Sequence, residues 1–407
     1  MEDTGYTWFS PQYDTSRPPS LKTTLQPSQT EDFPENFART AKWCPDGSTF
    51  LTHCEDRSLQ LFTTSLSDDP AAQPTTFHQP SPILDFIWYP TASPLTPPTY
   101  CFIASVRDCP IKLLDASDGR LRASYRIVDH RERQVAPHSL AFDLTAERLY
   151  CGFEDAIEVF DISRPGHGTR LPTTPSKKSK DGLKGIISAL AFIPSQGSDT
   201  YAAGSLYPTP SNIALFSSTQ GPEPIMFVSG GPSAGVTQIQ FNILTPHLMY
   251  TAHRRHETIY AWDLRSHLDA PLVAYKCTAQ VDVESGESKE MKMRTRTNQK
   301  LKFDVDLGGR WLASGDHVYA IGSVSFHPLY PTLLSVSGSR HFESESDSDS
   351  EDSEDDEDGG ILDVGSGRQR VIQRTRPKTL DRSIKTWSFE FDSSEARIPP
   401  EDRAVTG

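Results

Sequence analysis

Short apolar runs of one design recur along the chain at wide intervals. The first is Leu59-Gln60-Leu61-Phe62-Thr63, followed by Ile111-Lys112-Leu113-Leu114-Asp115 and Ile157-Glu158-Val159-Phe160-Asp161. Ile213-Ala214-Leu215-Phe216-Ser217, Ile259-Tyr260-Ala261-Trp262-Asp263 and Ile384-Lys385-Thr386-Trp387-Ser388 repeat the pattern. Each has a bulky apolar residue first and an aromatic residue or Leu fourth, and most have an apolar third residue. That alternation predicts a short strand with one buried face. The runs start at 59, 111, 157, 213, 259 and 384, so five copies are about 50 residues apart and the last follows a gap of 125. One copy is therefore missing near residue 320.

Upstream of the runs lies a second set of apolar-aromatic strands. It comprises Ala41-Lys42-Trp43, Leu84 to Trp88, Ser139 to Phe142, Ile187 to Phe192, Val236 to Phe241, Leu301 to Val305 and Val324-Ser325-Phe326. Pro or Asp-Gly turn chemistry often follows, as in Pro45-Asp46-Gly47, and a further strand ends in small residues. Seven such first strands predict seven four-stranded units. A single four-stranded unit cannot bury both faces, whereas a closed ring of them can, and closure also protects the strand edges. The repeat length and the Trp262-Asp263 ending predict an all-β, seven-bladed WD-repeat β-propeller whose sixth blade is incomplete. Asp56, Asp155 and Asp381, each just before a run, are expected to bond turn backbone.

Residues 1–35, rich in Pro, Ser and Thr, read as a disordered N-terminal arm, with Trp8, Phe9 and Phe33 able to dock on the blades. The ring is expected over 36–391, with a disordered acidic insertion at 343–378 and a disordered tail at 392–407. Residues 165–184 read as an exposed basic loop around Lys177-Lys178-Ser179-Lys180. Residues 279–300 form a second loop with Lys289, Lys292, Arg294, Arg296 and Lys300. The net charge of −14 would disfavour nucleic acid if it were evenly spread, but Glu343 to Asp358 alone carry 11 carboxylates and the remainder is near neutral. Ser344, Ser346, Ser348 and Ser353 each have an acidic residue three positions on, which suits an acid-directed kinase; a plain solvating tract is the alternative.

The chain has no apolar run long enough for a membrane helix, and Met1 to Ser10 lack the features of a signal peptide, so no membrane association and a cytosolic or nuclear site are expected. The six cysteines, Cys44, Cys54, Cys101, Cys109, Cys151 and Cys277, form no C-x-x-C pair and read as reduced core residues, not as a zinc site. No metal or other cofactor is expected. Gly231-Pro232-Ser233-Ala234-Gly235 fits G-x-S-x-G, but it precedes a strand and lacks the strand-to-helix context of a nucleophile elbow. With no phosphate-binding or dinucleotide fingerprint either, no enzymatic activity is expected.

Other residues exceed what a blade demands. They include Phe33-Pro34-Glu35-Asn36-Phe37, Lys42-Trp43-Cys44-Pro45-Asp46-Gly47-Ser48, Arg107-Asp108-Cys109-Pro110-Ile111 and Gly119-Arg120-Leu121-Arg122-Ala123-Ser124-Tyr125. Pro137 to Phe142, Leu149 to Phe153, Ser163-Arg164-Pro165-Gly166, Trp262-Asp263-Leu264-Arg265 and Ser335 to Phe342 continue them. Over roughly 33–391 the chain resembles the telomerase Cajal body protein family of WD-repeat proteins. The resemblance implies a nuclear, non-catalytic protein of the nucleoplasm or Cajal-body-like bodies, with a cytoplasmic pool left open. It implies binding to small Cajal-body RNAs and, in animals, telomerase RNA, together with ribonucleoprotein proteins. A monomer is expected, with other protein partners on the propeller faces. The RNA-binding candidates are Arg254, Arg255 and His256 at a blade turn and Arg265 after Trp262-Asp263; solvated charge is the bland alternative. His138 reads as structural. The other functional class is a protein-binding scaffold of splicing or chromatin complexes without RNA contact. The chain departs from the family between Trp311-Leu312-Ala313-Ser314-Gly315 and Gly322-Ser323-Val324-Ser325, where two further strands are expected and only Asp316 to Ile321 intervene. Either coding sequence is missing there or the sixth blade is incomplete.

Overall fold

The computed structural model describes residues 10–63, 73–176, 178–179, 181–276, 299–315, 321–338, 379 and 381–391. All regular structure among them is β. Strand β1 (Ser20–Leu25) comes first, and the blades then follow in chain order. Blade 1 is β2 (Ala38–Trp43), β3 (Thr49–Cys54), β4 (Ser58–Thr63) and β5 (Thr75–His78). Blade 2 is β6 (Ile83–Trp88), β7 (Cys101–Val106), β8 (Ile111–Asp115) and β9 (Leu121–Tyr125). Blade 3 is β10 (Ser139–Phe142), β11 (Arg148–Phe153), β12 (Ala156–Asp161) and β13 (Thr169–Pro172). Blade 4 is β14 (Ile187–Phe192), β15 (Thr200–Ser205), β16 (Ile213–Ser217) and β17 (Pro224–Val228). Blade 5 is β18 (Val236–Phe241), β19 (Leu248–His253), β20 (Thr258–Asp263) and β21 (Val273–Lys276). A two-stranded sheet of β22 (Phe303–Val305) and β23 (Leu312–Ser314) comes next. The closing blade is β24 (Ile321–Phe326), β25 (Thr332–Ser337) and β26 (Ile384–Ser388), with β1 added outside β26.

The first strands read from the sequence are the inner strands of these sheets, and the repeated runs are the third strands. The described residues complete six blades, not the seven expected. The stretch between Ser314 and Ile321 is too short for two more strands, so the sheet of β22 and β23 stops at two. A second correction concerns the N-terminal arm. Its described part lies on the ring: β1 pairs antiparallel with β26 from Ser20↔Ser388 to Leu25↔Ile384, so strands from both ends of the fold share one sheet. The apolar ring of Tyr13 explains the approach to it, being buried 5.2 Å from Phe326 and 5.7 Å from Phe389. A third correction concerns 165–184, where Thr169–Pro172 is the outer strand of blade 3. Trp8, Phe9, Lys177, Lys180, the loop cations Lys289 to Arg296, Cys277, the acidic insertion 343–378 with its four serines, and the tail 392–407 lie outside the described residues.

Apolar faces meet at the joints. Leu51, Leu59 and Phe77 of blade 1 pack on Phe86, Trp88 and Phe102 of blade 2, and comparable clusters fill the joints onward to blade 5. Ala38, Ala41 and Phe50 of blade 1 meet Leu334, Val336 and Ile384 of the closing blade. Each such Leu or Phe contributes about 1.5–3 kcal/mol by leaving water. Tyr250, Ile259 and Ala261 of blade 5 cover Phe303 and Val305 of the two-stranded sheet. On the other side of that sheet the inner strands are joined by polar contacts. Asp304 accepts from Phe326 N at 2.8 Å and Gln240 Nε2 at 2.7 Å, tying three sheets together.

Turn chemistry matches the sequence reading. Asp56 Oδ1 accepts from Ser58 N at 3.0 Å, Asp155 Oδ1 from Gly185 N at 2.7 Å and Asp381 Oδ1 from Ser383 N at 2.8 Å. Gly47 has φ +75°, and a side chain there would collide with the His327 ring. Cys44, Cys54, Cys101 and Cys151 are buried thiols, and Cys109 is half-buried. Among the described residues no helix is long and apolar enough to cross a membrane, and no cluster of His, Cys, Asp and Glu could hold a metal.

Candidate nucleic-acid interface

Because neighbouring strands are antiparallel, each blade presents its turns alternately to two faces. The turn between second and third strands and the start of the inner strand share one face, termed upper. The other two turns share the lower face. Arg254, Arg255 and His256 occupy the β19–β20 turn on the upper face of blade 5, where all three are exposed. Arg254 N donates to Gly235 O at 2.7 Å, and Arg255 takes a left-handed φ of 62° to make the turn. Arg265 lies beyond the other end of β20, on the lower face. Its Nε and Nη2 donate to Asp263 at 3.1 and 2.9 Å, so its charge is already answered. The structure thus divides the predicted set: a six-residue strand, about 20 Å long, separates Arg265 from the other three.

A stronger cationic site lies at the axis. Lys42 on β2 reaches across a joint to Asp85 on β6, with Nζ 3.4 Å from Oδ1, and also donates to Phe86 O. Lys302, next to β22, donates to Thr237 O at 3.1 Å. Burial brings the Lys302 ammonium down to about 7, Asp85 opposes that shift, and Lys300 and Lys42 add to it. Asp85 is on blade 2 and Lys302 beside the two-stranded sheet, so this interaction crosses the channel. Burial also lowers Lys300, with Asp85 opposing and Arg254 reinforcing the shift. Burial takes His53 down to about 3, aided by Arg39, Lys42 and Lys300. His138 is lowered by burial and by Lys300 and Arg107.

Six cationic residues, Arg39, Lys42, Arg107, Arg254, Lys300 and Lys302, therefore act on one another's surroundings around the channel, five of them at inner-strand starts or upper turns and Lys42 further down its strand. Arg39 is paired with Glu55. Asp85 is the carboxylate that faces the lysines, and it is partly engaged in accepting from Leu140 N at 3.0 Å. Cations grouped around one channel, with Lys300 and Lys302 set back from water, can receive an anion. Of these six, the sequence had singled out Arg254 as a site residue and Lys300 as a loop cation. The signal for two others, and for Asp85, was a polar residue between apolar ones in an inner strand: Ala41-Lys42-Trp43, Leu301-Lys302-Phe303 and Leu84-Asp85-Phe86.

Other motifs are tied into turns and strands. Arg122 Nη2 donates to Asp115 at 2.7 Å and to Pro97 O at 2.7 Å, while Nη1 donates to Pro98 O at 2.6 Å; it walls a lower-face cleft of about 540 Å³. Gly231 to Gly235 form a turn into β18, with Ala234 N donating to Pro232 O at 2.7 Å. His138 N pairs with Gly152 O at 2.7 Å beside the start of β10.

No protein-family model matches the chain. Curated proteins do. Telomerase Cajal body protein 1 of Bos taurus is 30% identical over 385 residues, covering 85% of this chain and 65% of that protein. The chain belongs to the telomerase Cajal body protein family of WD-repeat proteins. The family member of Homo sapiens is 29% identical over 77% of this chain and 59% of its own length. Against the first mammalian members the chain spans 60 to 65% of their length. A fission yeast protein, the guanine nucleotide-binding protein negative regulator 1 of Schizosaccharomyces pombe, is 30% identical over 71% of the chain and 70% of its own length. A β-propeller with these relatives fits a non-catalytic scaffold.

Proposed function

We propose that this protein is an RNA-binding scaffold that takes up small nuclear RNAs of the Cajal-body type, telomerase RNA among them, and directs ribonucleoprotein assembly or nuclear-body localisation. The observation that carries the reading is the group of cations at the upper channel mouth, with Asp85 facing its lysines. Lysine and arginine there meet phosphates, and Arg254 and Arg255 at the rim offer guanidinium planes to unpaired bases. The relatives' names, which join telomerase and the Cajal body, support the same reading and a nuclear site. The reading takes the protein as a monomer and the two-stranded sheet as the inner half of a seventh blade.

A protein scaffold of splicing or chromatin complexes is the second reading. Exposed apolar residues on the lower face favour it: Leu95 is 91% exposed, and Ile243, Leu244 and Tyr330 lie open at other turns. Crosslinking tagged protein to RNA in cells and sequencing what survives stringent washing separates the two. Enrichment of small nuclear guide RNAs or telomerase RNA over a control propeller supports RNA binding. Absence of enrichment, with partners still recovered after nuclease, supports the protein scaffold.

A further inference from the structure

The joint between the two-stranded sheet and the closing blade differs from the others. β23 pairs with β22 through Val305↔Leu312, Asp304↔Ala313 and Phe303↔Ser314. Asp306 N donates to Trp311 O and Gly315 N to Lys302 O, which fixes the alternation. Ala313 then points its backbone groups to β22, and Leu312 and Ser314 point theirs outward. Among the described residues no strand pairs with that outer edge.

The walls on either side are apolar. In blade 5, Val273 stands opposite Ala261 and Tyr275 opposite Ile259. Directly opposed residues share a face, and Ile259 and Ala261 pack on Phe303 and Val305. Val273 and Tyr275 therefore face the side of the two-stranded sheet, beyond its reach, and are 40% and 42% exposed. In the closing blade, Leu21, Trp387 and Leu333 lie side by side across three strands. Leu334, Val336 and Ile384 on the opposite face pack on blade 1, so Leu21, Trp387 and Leu333 face the two-stranded sheet. Leu21 is 51% exposed. Tyr13 fills the lower end of this joint.

An open strand edge between two apolar walls specifies its occupant closely. We infer that a partner polypeptide inserts a β-hairpin here, pairing one strand with Leu312–Ser314 and burying apolar side chains against Val273 and Tyr275 on one side and Leu21 and Trp387 on the other. Backbone pairing supplies affinity and the walls supply side-chain selection. Two strands covered on both faces bury on the order of 1,000 Å², the size at which interfaces become specific. Among the described residues the two outer strand positions of this sheet are empty; they accept a hairpin, whereas a packed helix would leave the edge unpaired. This site is separate from the channel mouth and does not depend on RNA binding.

The test uses the full chain and a synthetic peptide with the sequence of residues 258–276, the outer hairpin of blade 5, as probe. Amide exchange is followed at Leu312 and Ser314. Both should exchange rapidly in the chain alone and become protected by the peptide, with RNA affinity unchanged. Ser314→Pro removes an outward N–H to which no strand pairs among the described residues, so it should keep the wild-type circular dichroism and melting while weakening the peptide at least tenfold. Tyr275→Asp on the exposed wall should weaken it as well. The inference is overturned if both amides are already protected in the chain alone, if millimolar peptide gives no protection, or if protection survives both substitutions.

Discussion

Lys42 Nζ lies 3.4 Å from Asp85 Oδ1, joining blade 1 to blade 2 at the channel wall. The same carboxylate influences Lys300 and Lys302 from across the ring. One carboxylate thus faces three lysines, and an incoming phosphate would relieve their mutual repulsion. Replacing Lys300 and Lys302 together by Gln should lower affinity for a small single-stranded RNA by roughly tenfold or more. It should also reduce the salt slope by about one for each phosphate no longer neutralised. Fluorescence anisotropy across a salt series reads both. Asp85→Asn should act oppositely, tightening RNA while costing about 1–2 kcal/mol of stability through its weakened bond to Leu140 N.

The pH dependence of binding and of stability should have opposite signs above neutrality. Lys302 sits at about 7 in the folded chain and near its ordinary value unfolded, so the unfolded chain binds the extra proton between those limits. Its contribution to stability therefore rises from pH 7 towards pH 10. RNA needs the charged ammonium, so affinity should fall as pH rises from 6 to 8, with proton uptake on binding seen by calorimetry in two buffers. Lys302→Arg should flatten that fall. At the acid end His53, held at about 3, makes stability drop as pH falls from about 6.5 towards 3, because the unfolded imidazole gains the proton first.

Arg254 and Arg265 should separate cleanly. Arg254→Ala, on the upper face beside Lys300, should weaken RNA several-fold. Arg265→Ala, paired with Asp263 on the lower face, should leave affinity within twofold of the parent while melting changes little, since solvent screens an exposed pair. Parallel titrations of both variants check this.

Trp262 anchors blade 5. It is 1% exposed and its Nε1 donates to Thr251 Oγ1 at 3.1 Å, while His253 lies 3.1 Å from the same hydroxyl. Trp262→Ala should cost about 3–5 kcal/mol, and Thr251→Val about 1–3 kcal/mol by leaving the indole N–H unsatisfied. Denaturant unfolding monitored by fluorescence and by circular dichroism should show both losses.

The end of β25 and the start of β26 lie on the upper face, and in the sequence between them Glu343 to Asp358 carry 11 carboxylates. Deleting 343–358 should raise RNA affinity at low salt and lose that effect at high salt, where a screening length of about 3 Å at 1 M removes long-range repulsion. Binding curves at both ionic strengths decide it.

The repeat was legible because strand alternation and turn chemistry are local: the inner strands and the runs ending in Trp262 or Trp387 fell where the pattern put them. The shortened sheet was legible too, from the missing run near 320. What the sequence hid was ring geometry. Ser20 to Leu25 carry no alternation strong enough to announce a strand, since β1 is largely exposed and gains its place by pairing with β26. Lys42, Asp85 and Lys302 are far apart in the chain and come within electrostatic reach of one another because the inner strands of different sheets converge on one axis. Arg265 looked like a companion of Arg254, being close in sequence, but one intervening strand carries it to the opposite face.

Photocrosslinking purified protein to a small nuclear guide RNA and mapping the attached peptides tests the central claim most directly. Crosslinks should concentrate on the peptides holding Arg39 to His53, Arg107, Arg254 and Lys300 to Lys302, and should vanish from them in the Lys300→Gln, Lys302→Gln double variant. Crosslinks confined to the lower face around Arg265 or Arg120, or unchanged in the double variant, would contradict RNA binding at the channel mouth.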